Sequence, residues 1–150
     1  MKIIEIKKDL FKEKIEKNDV LVHCVSADFK MGAGIAKEFK KKFSIFENQK
    51  EKIINEYSKN KNGVLILKNN IFFIANLVTK DKYWQKPTYE SLEFSLLNMK
   101  KILENNNVKI NRLLMPKIGC GLDKLNWSQV KSLLYKIFQD SNFNIYVFFL

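Results

Sequence analysis

The chain has 150 residues, 46% of them hydrophobic, and this length predicts one domain with an apolar core over residues 1–150. No stretch reaches the ~18 uninterrupted apolar residues of a membrane span, and the first residues, MKIIEIKKDLFKEK, do not have the pattern of a signal peptide. Two cysteines are too few for a disulfide scaffold, so we expect a cytoplasmic protein without membrane contact. The net charge of +11 comes almost wholly from lysines, and the single arginine, Arg112, argues against nucleic acid as the main ligand because bidentate guanidinium contacts are scarce.

Six short apolar segments alternate along the chain with segments of helical periodicity. The apolar segments cover residues 3–6, 20–25, 64–67, 71–78, 113–118 and 144–150. Each predicts a strand, and their nearly continuous apolarity is typical of strands that are covered on both faces.

Three helices are predicted between these strands. Apolar residues recur every three or four positions over residues 35–43, 92–103 and 130–137. Thr88 precedes the second helix as an N-cap, and Asn126 with Gln129 precedes the third at the spacing of a variant capping box. The alternation of strands and helices predicts a three-layer α/β/α domain with a central mixed, largely parallel sheet.

Two loops that contain glycines follow predicted strands and lead into helices. Ligands in such folds bind beyond the carboxyl ends of the strands, which directs attention to residues 26–35, 79–88 and 117–126. Gly32 and Gly34 stand in the first loop and Gly119 and Gly121 in the last, where backbone amides can approach an anion closely. Two such loops suit a ligand with two anionic groups, such as a pyrophosphate. GAGIAK lacks the third glycine of a dinucleotide fingerprint, so a Rossmann site is not predicted.

The reactive side chains near these loops leave more than one interpretation. Asp123 is either a helix cap, a solvated surface residue or a catalytic acid. Cys120 has no obvious base beside it, and His23 and Cys24 point to opposite faces of a strand, so a thiol nucleophile is not predicted. A single histidine and the lack of a carboxylate cluster predict no metal, and we expect no cofactor. Two tryptophans are interpreted as packing residues, Trp84 and Trp127.

Three motifs resemble those of the macrodomain family, and within it the branch of the terminal ADP-ribose protein glycohydrolase. They are MGAGIAxxFKKKF, KPTYExL and MPKIGCGLDKLxW, and the resemblance runs from Asp9 to the last predicted strand. It implies a macrodomain fold that binds ADP-ribose and removes it from glutamate or aspartate esters on proteins, or from O-acyl-ADP-ribose. The expected ligands are ADP-ribose and ADP-ribosylated proteins, with nucleic acid only as an ADP-ribosylated substrate, and we expect a monomer.

The resemblance also implies which residues hold ADP-ribose. Asp9, followed by Leu10, would receive the adenine amino group, and Phe148, with Leu150 nearby, would stack on the adenine. The positions implied around the distal ribose are His23, Ser26, Met31, Gly32, Ala33, Gly34 and Ile35. The loop from Lys117 to Asp123 would hold the diphosphate with its backbone amides. The other implied positions, which include residues of this loop, are Thr79, Pro116, Lys117, Ile118, Gly119, Cys120, Gly121 and Leu122.

The catalytic residues implied by the resemblance are Lys80 as nucleophile and Asp123 as general acid and base. A neutral Lys80 amine would displace the carboxylate, form a lysyl-ADP-ribose adduct and be freed by hydrolysis. In a rival mechanism Lys80 is an electrostatic clamp while Asp123 activates water. Two other functions stay open: an ADP-ribose reader that needs neither residue, and a hydrolase of ADP-ribosylated nucleic-acid bases.

Overall fold

A computed structural model describes residues 1–150 and contains six strands, five α-helices and one short 3₁₀ helix at Leu10–Lys12. The strands are β1 (Ile3–Lys7), β2 (Val20–Ser26), β3 (Val64–Lys68), β4 (Phe73–Lys80), β5 (Arg112–Pro116) and β6 (Asn144–Phe149). The helices are α1 (Gly34–Lys42), α2 (Ile45–Asn48), α3 (Lys50–Asn60), α4 (Tyr89–Glu104) and α5 (Trp127–Phe138).

All six strands form one sheet in the order β1-β6-β5-β2-β4-β3. Only β3 runs antiparallel to its neighbour β4, and the other pairings are parallel. The two central strands, β2 and β5, pair at only two positions, near their amino ends: Val20 with Leu113 and Leu21 with Leu114. The predicted mixed, largely parallel sheet is confirmed.

Both faces of the sheet are covered by helices, so the fold has three layers. Alternate residues of β2 enter different cores: Val20 and Val22 pack on the side of α4 and α5, whereas Leu21 and Val25 pack on the side of α1 and α3. The expectation of strands that are buried on both faces is confirmed for β2, β4 and β5, and it explains their nearly continuous apolarity, whereas the edge strands β1 and β3 are only partly buried.

The predicted helix starts are confirmed by their caps. The Thr88 hydroxyl accepts a hydrogen bond from the Ser91 amide at 3.0 Å, and the Thr88 amide donates to the Ser91 hydroxyl at 3.0 Å. Asn126 Oδ1 accepts from the amides of Ser128 and Gln129 at the start of α5. These contacts satisfy backbone donors that have no partner within a helix.

Two details of the secondary structure differ from the prediction. The strand expected over residues 71–78 begins only at Phe73, because the Asn69 side chain accepts hydrogen bonds from the amides of Ile71 and Phe72 and holds them in a turn. Helices α2 and α3 are not predicted, since α2 has only four residues and α3 buries only Ile53 and Tyr57 in a segment otherwise rich in lysine, asparagine and glutamate. No helix of the chain is both long enough and apolar enough to cross a membrane.

Candidate functional site

The strand order reverses between β2 and β5, and this reversal creates a crevice at their carboxyl ends. The chain leaves β2 through α1 to α3 toward β3 and β4 on one side, and it leaves β5 through α5 to β6 on the other. Such reversal points are where open α/β sheets bind ligands. In this protein the crevice contains a cavity of about 750 Å³, which we call the loop cavity.

The loop cavity is lined by the carboxyl ends of β2, β4 and β5 and by the loops that follow them. Thirteen of the positions predicted from sequence line it: Ser26, Met31, Gly32, Ala33, Gly34, Ile35, Lys80, Pro116, Lys117, Gly119, Gly121, Leu122 and Asp123. The fold thus brings together three loops that are far apart in the sequence. Eight predicted positions do not line it: Asp9, Leu10, His23, Thr79, Ile118, Cys120, Phe148 and Leu150.

Lys80 and Asp123 form an ion pair in the wall of the loop cavity. Nζ of Lys80 donates to Oδ1 of Asp123 at 2.8 Å, although 43 residues separate them in the chain. Their side chains are 14% and 16% exposed, so the pair is largely shielded yet reachable from the cavity. A carboxylate this close can accept a proton from the lysine ammonium, so the pair has the geometry of a nucleophile and its base.

Asp28 connects the loop before α1 to the loop after β4. Its Oδ1 accepts from the Ser26 hydroxyl at 2.5 Å and from the Lys30 amide, and its Oδ2 accepts from the Tyr83 amide at 3.1 Å. Burial alone would raise the pKa of Asp28, but these three hydrogen bonds more than offset burial and lower it. Asp28 is therefore an ionised anchor that fixes Ser26 at the cavity edge.

A second link joins the loop after β4 to the loop after β5. Nζ of Lys86 donates to the Leu122 carbonyl at 2.7 Å, and Nζ of Lys30 lies 5.5 Å from the centre of the Tyr83 ring. The three loops are thus tied to one another around the cavity. The sequence analysis did not predict four residues of these links: Asp28, Lys30, Tyr83 and Lys86. The cluster of aromatic and lysine residues directly after β4 is a signal that could have indicated a site there.

The glycines of the two anion-binding loops fall into two groups. A Cβ built at Gly32 or Gly121 would meet no protein atom within 4 Å, so a side chain there would extend into open space at the cavity. Gly34 has a φ of +59° and Gly119 a φ of +72°, which side chains rarely adopt. The first pair leaves room for a ligand, and the second pair shapes the loops.

Neither cysteine has the features of a nucleophile. Burial raises the pKa of Cys24 to about 12, with the Asp123 carboxylate as a further cause, and burial raises that of Cys120 to about 11. The Cys120 thiol donates to the Ile118 carbonyl and turns away from the cavity. No group of three His, Cys, Asp or Glu side chains is placed to hold a metal ion.

His23 is predicted near the distal ribose, but its side chain does not line the loop cavity. The ring is fully buried, stacks on Phe39 with centroids 3.8 Å apart, and donates from Nε2 to Oδ1 of Asn76 at 2.6 Å. Burial lowers its pKa to about 4, so the ring is neutral. His23 and Cys24 do point to opposite faces of β2, as predicted.

Phe148 is predicted to stack on adenine, but its side chain lies in the core and does not line the loop cavity. Its side chain is 3% exposed and packs in the core with Leu10 and Leu114. Strand alternation turns Phe148 inward, while Phe149 points to the other face, where Nζ of Lys117 lies 4.6 Å from its ring centre. Leu150 is exposed at the chain end.

The remaining predicted positions have other placements. Asp9 Oδ1 accepts from the Phe11 amide and caps the 3₁₀ helix, and Ile118 is a core residue that can offer only its backbone. Trp127 packs against the core, in agreement with its interpretation as a packing residue, and its indole N–H donates a hydrogen bond to the Glu5 carboxylate. Trp84 is 67% exposed in the loop after β4, so its interpretation as a packing residue is wrong.

Several characterised proteins are similar to the chain over nearly its whole length. The human ADP-ribose glycohydrolase OARD1 is 40% identical over 147 residues, which cover 98% of this chain and 91% of the human protein. The macrodomain of Thermus aquaticus DarG superposes with a TM-score of 0.82 at 20% identity, over 99% of this chain and 98% of that one. Thermosipho africanus DarTG in complex with ADP-ribose gives a TM-score of 0.77 at 19% identity, over 98% of this chain and 41% of that one. No protein-family model matches the chain.

Proposed function

Because the chain belongs to the macrodomain family, in its branch of ADP-ribose glycohydrolases, we infer that it is an ADP-ribose-binding hydrolase. We propose that it removes mono-ADP-ribose from glutamate and aspartate side chains of proteins, and that it also accepts O-acyl-ADP-ribose. One observation carries this proposal: the Lys80–Asp123 ion pair stands in the wall of a cavity between two glycine loops. These loops suit the pyrophosphate of ADP-ribose, whose distal ribose carries the ester at its anomeric carbon.

The proposed reaction begins when the anomeric carbon docks beside the Lys80 amine. Asp123 takes a proton from the Lys80 ammonium, and the neutral amine forms a C–N bond to the anomeric carbon. The C–O bond to the acyl group breaks, and its electron pair leaves with the protein carboxylate. Water then replaces the amine at this carbon, a proton of the water passes to Lys80, and Asp123 releases the proton it had taken.

The same ion pair also supports a mechanism without a covalent intermediate. Lys80 would keep its proton and stabilise the departing carboxylate, while Asp123 removes a proton from the attacking water. Acid quenching during turnover, followed by mass spectrometry of the peptide that contains Lys80, separates the two. ADP-ribose attached to Lys80 supports the covalent route, and its absence at saturating substrate supports the clamp.

The pair argues against a binding module without activity. A reader gains nothing from a carboxylate beside a bound diphosphate, since the two negative charges repel each other. The loop cavity therefore favours a hydrolase over a reader.

The experiment that tests the function compares three measurements on the wild-type protein. These are release of ADP-ribose from a glutamate-modified protein, release from an oligonucleotide with an ADP-ribosylated base, and binding of free ADP-ribose by calorimetry. We expect binding together with release from the protein ester. Binding without release would favour the reader, and release from the oligonucleotide alone would favour the enzyme of nucleic-acid bases.

A further inference from the structure

A second cavity adjoins the loop cavity at Lys80. It has a volume of about 1070 Å³ and lies between the carboxyl end of β4, helix α3 and the amino end of α4, and we call it the side cavity. Lys80 and Lys86 line both cavities. If ADP-ribose fills the loop cavity and its anomeric carbon reaches Lys80, the group attached to that carbon has the side cavity beside it.

We propose that the side cavity binds the polypeptide segment that carries the ester, and that it selects segments rich in aspartate and glutamate. The proposal rests on the proposed function, because it assigns the leaving-group side of that reaction. It adds a specificity site that ADP-ribose itself does not occupy.

A buried hydroxyl without a hydrogen-bond partner lies in the wall of the side cavity. Thr79, at the end of β4, lines this cavity and is 4% exposed, and its Oγ1 has no hydrogen-bond partner in the protein. Buried hydroxyls in folded proteins nearly always have one. Rotation of the Thr79 side chain toward the side cavity would bring this hydroxyl within reach of an amide or carbonyl of a bound polypeptide backbone.

The charges around the side cavity favour an acidic ligand. Lys61 and Lys82 are exposed in its lining, and neither takes part in any salt bridge of the protein. The amino end of α4 at Thr88 also faces this cavity and contributes a partial positive charge. These groups are placed to attract carboxylates that flank the modified residue.

The same lining disfavours a nucleic-acid strand. Asp28 and Asp81 also line the side cavity, so its charge is mixed, and a phosphate backbone with a negative charge at every nucleotide would be repelled at more positions than a peptide with a few carboxylates. The only arginine, Arg112, is paired with Asp19 and does not line it. A peptide with a few carboxylates and free backbone amides therefore matches the cavity better than a polyphosphate chain does.

The test uses two substrates with the same ester bond. One is a peptide ADP-ribosylated on a glutamate that aspartate and glutamate flank, and the other is O-acetyl-ADP-ribose, which reaches only the loop cavity. Lys61→Glu and Ser58→Glu each place a negative charge in the side cavity, and Lys109→Glu is the matched control at an exposed lysine outside it. We expect each cavity variant to lower kcat/KM for the peptide about 10-fold and to leave O-acetyl-ADP-ribose unchanged, with Lys109→Glu affecting neither.

Equal changes with both substrates, or an unchanged rate with the peptide, would overturn the proposal. A loss that appears with an ADP-ribosylated oligonucleotide and not with the peptide would overturn the choice of ligand. If the wild type hydrolyses neither substrate, the proposed function fails. Binding of the modified peptide then tests whether the side cavity is a peptide site. Weaker binding of the modified peptide to Lys61→Glu, with unchanged binding of ADP-ribose, supports the site, and unchanged binding of both overturns it.

Discussion

Gly119 and Gly121 stand two residues apart in one loop, yet a side chain should have different effects at each. A Cβ at Gly119 would lie 2.9 Å from Cδ1 of Leu125 on a backbone with φ of +72°, whereas a Cβ at Gly121 meets no atom. We expect Gly119→Ala to lower the free energy of unfolding by about 1–2 kcal/mol. We expect Gly121→Val to leave it unchanged and to weaken ADP-ribose binding about 10-fold, because it fills the cavity. Denaturant unfolding and calorimetry measure both, and identical behaviour of the two variants would contradict this assignment.

His23, the only histidine, makes stability depend on pH. Burial lowers its pKa from 6.5 to about 4, against a smaller opposing effect of the hydrogen bond to Asn76. The unfolded chain therefore binds more protons than the folded chain between these values, and the stability present above pH 6.5 is lost as pH falls toward 4. We expect a loss of about 2 kcal/mol between pH 7 and pH 5.

The measurement is the free energy of unfolding across this pH interval for the wild type and for His23→Gln. The variant cannot titrate at this position, so its curve should be nearly flat from pH 7 to pH 5. The pKa values of Asp28, Glu5 and Glu13 are lowered and matter only at more acidic pH. A flat curve for the wild type would contradict the buried, neutral imidazole.

At the scale of elements, the cap of α4 should contribute to stability more than an ordinary surface hydroxyl. Thr88 satisfies the Ser91 amide, and its own amide is satisfied by the Ser91 hydroxyl. We expect Thr88→Ala to lower the free energy of unfolding by about 1 kcal/mol. Ser132→Ala, at an exposed hydroxyl in the middle of α5, is the control and should change stability by less than about 0.5 kcal/mol. Equal losses in denaturant unfolding would show that the cap has no special role.

The sequence located strands better than helices, for a physical reason. A strand that is buried on both faces is a short continuous apolar run, and all six runs correspond to strands. A helix that is buried on one stripe only, such as α3 with Ile53 and Tyr57, leaves a weak pattern among charged residues. The face to which a strand residue points is also harder to predict, which is why the sequence did not show that Phe148 faces the core.

At the scale of the whole molecule, Asp19 joins the amino-terminal segment to the start of β5. The fully buried carboxylate accepts from Nε of Arg112 at 3.0 Å and Nη2 at 2.6 Å, from Asn111, and from the Glu16 amide. The hydrogen bond to Asp19 is the main reason that the pKa of Arg112 is raised. These contacts connect segments about 90 residues apart, so their loss affects the entire fold.

We expect Asp19→Ala to lower the free energy of unfolding by about 3 kcal/mol, because it leaves a shielded guanidinium without its main partner. Asp140→Ala is the matched control, since Asp140 is exposed and forms no salt bridge. Thermal unfolding of the two variants measures the difference. A loss for Asp19→Ala no larger than that of the control would mean that this ion pair is replaceable.

The site was predictable in its loops and not in its long-range contacts. Glycines after strands indicated an anion site from physical chemistry alone, and they line the cavity. The resemblance to macrodomains was needed to pair Lys80 with Asp123, because local patterns do not show which distant loops meet. The links from Asp28 to Tyr83 and from Lys86 to Leu122 were missed for the same reason.

The most direct measurement of joint action by Lys80 and Asp123 is the rate of ADP-ribose release from a glutamate-modified protein. It is made with the wild type, Lys80→Ala, Asp123→Ala and the surface control Lys109→Ala, with ADP-ribose binding measured in parallel. We expect release by the wild type and the control, a fall of at least about 100-fold in both site variants, and retained ADP-ribose binding. Either site variant that keeps the wild-type rate while still binding ADP-ribose would contradict a catalytic role for the Lys80–Asp123 pair.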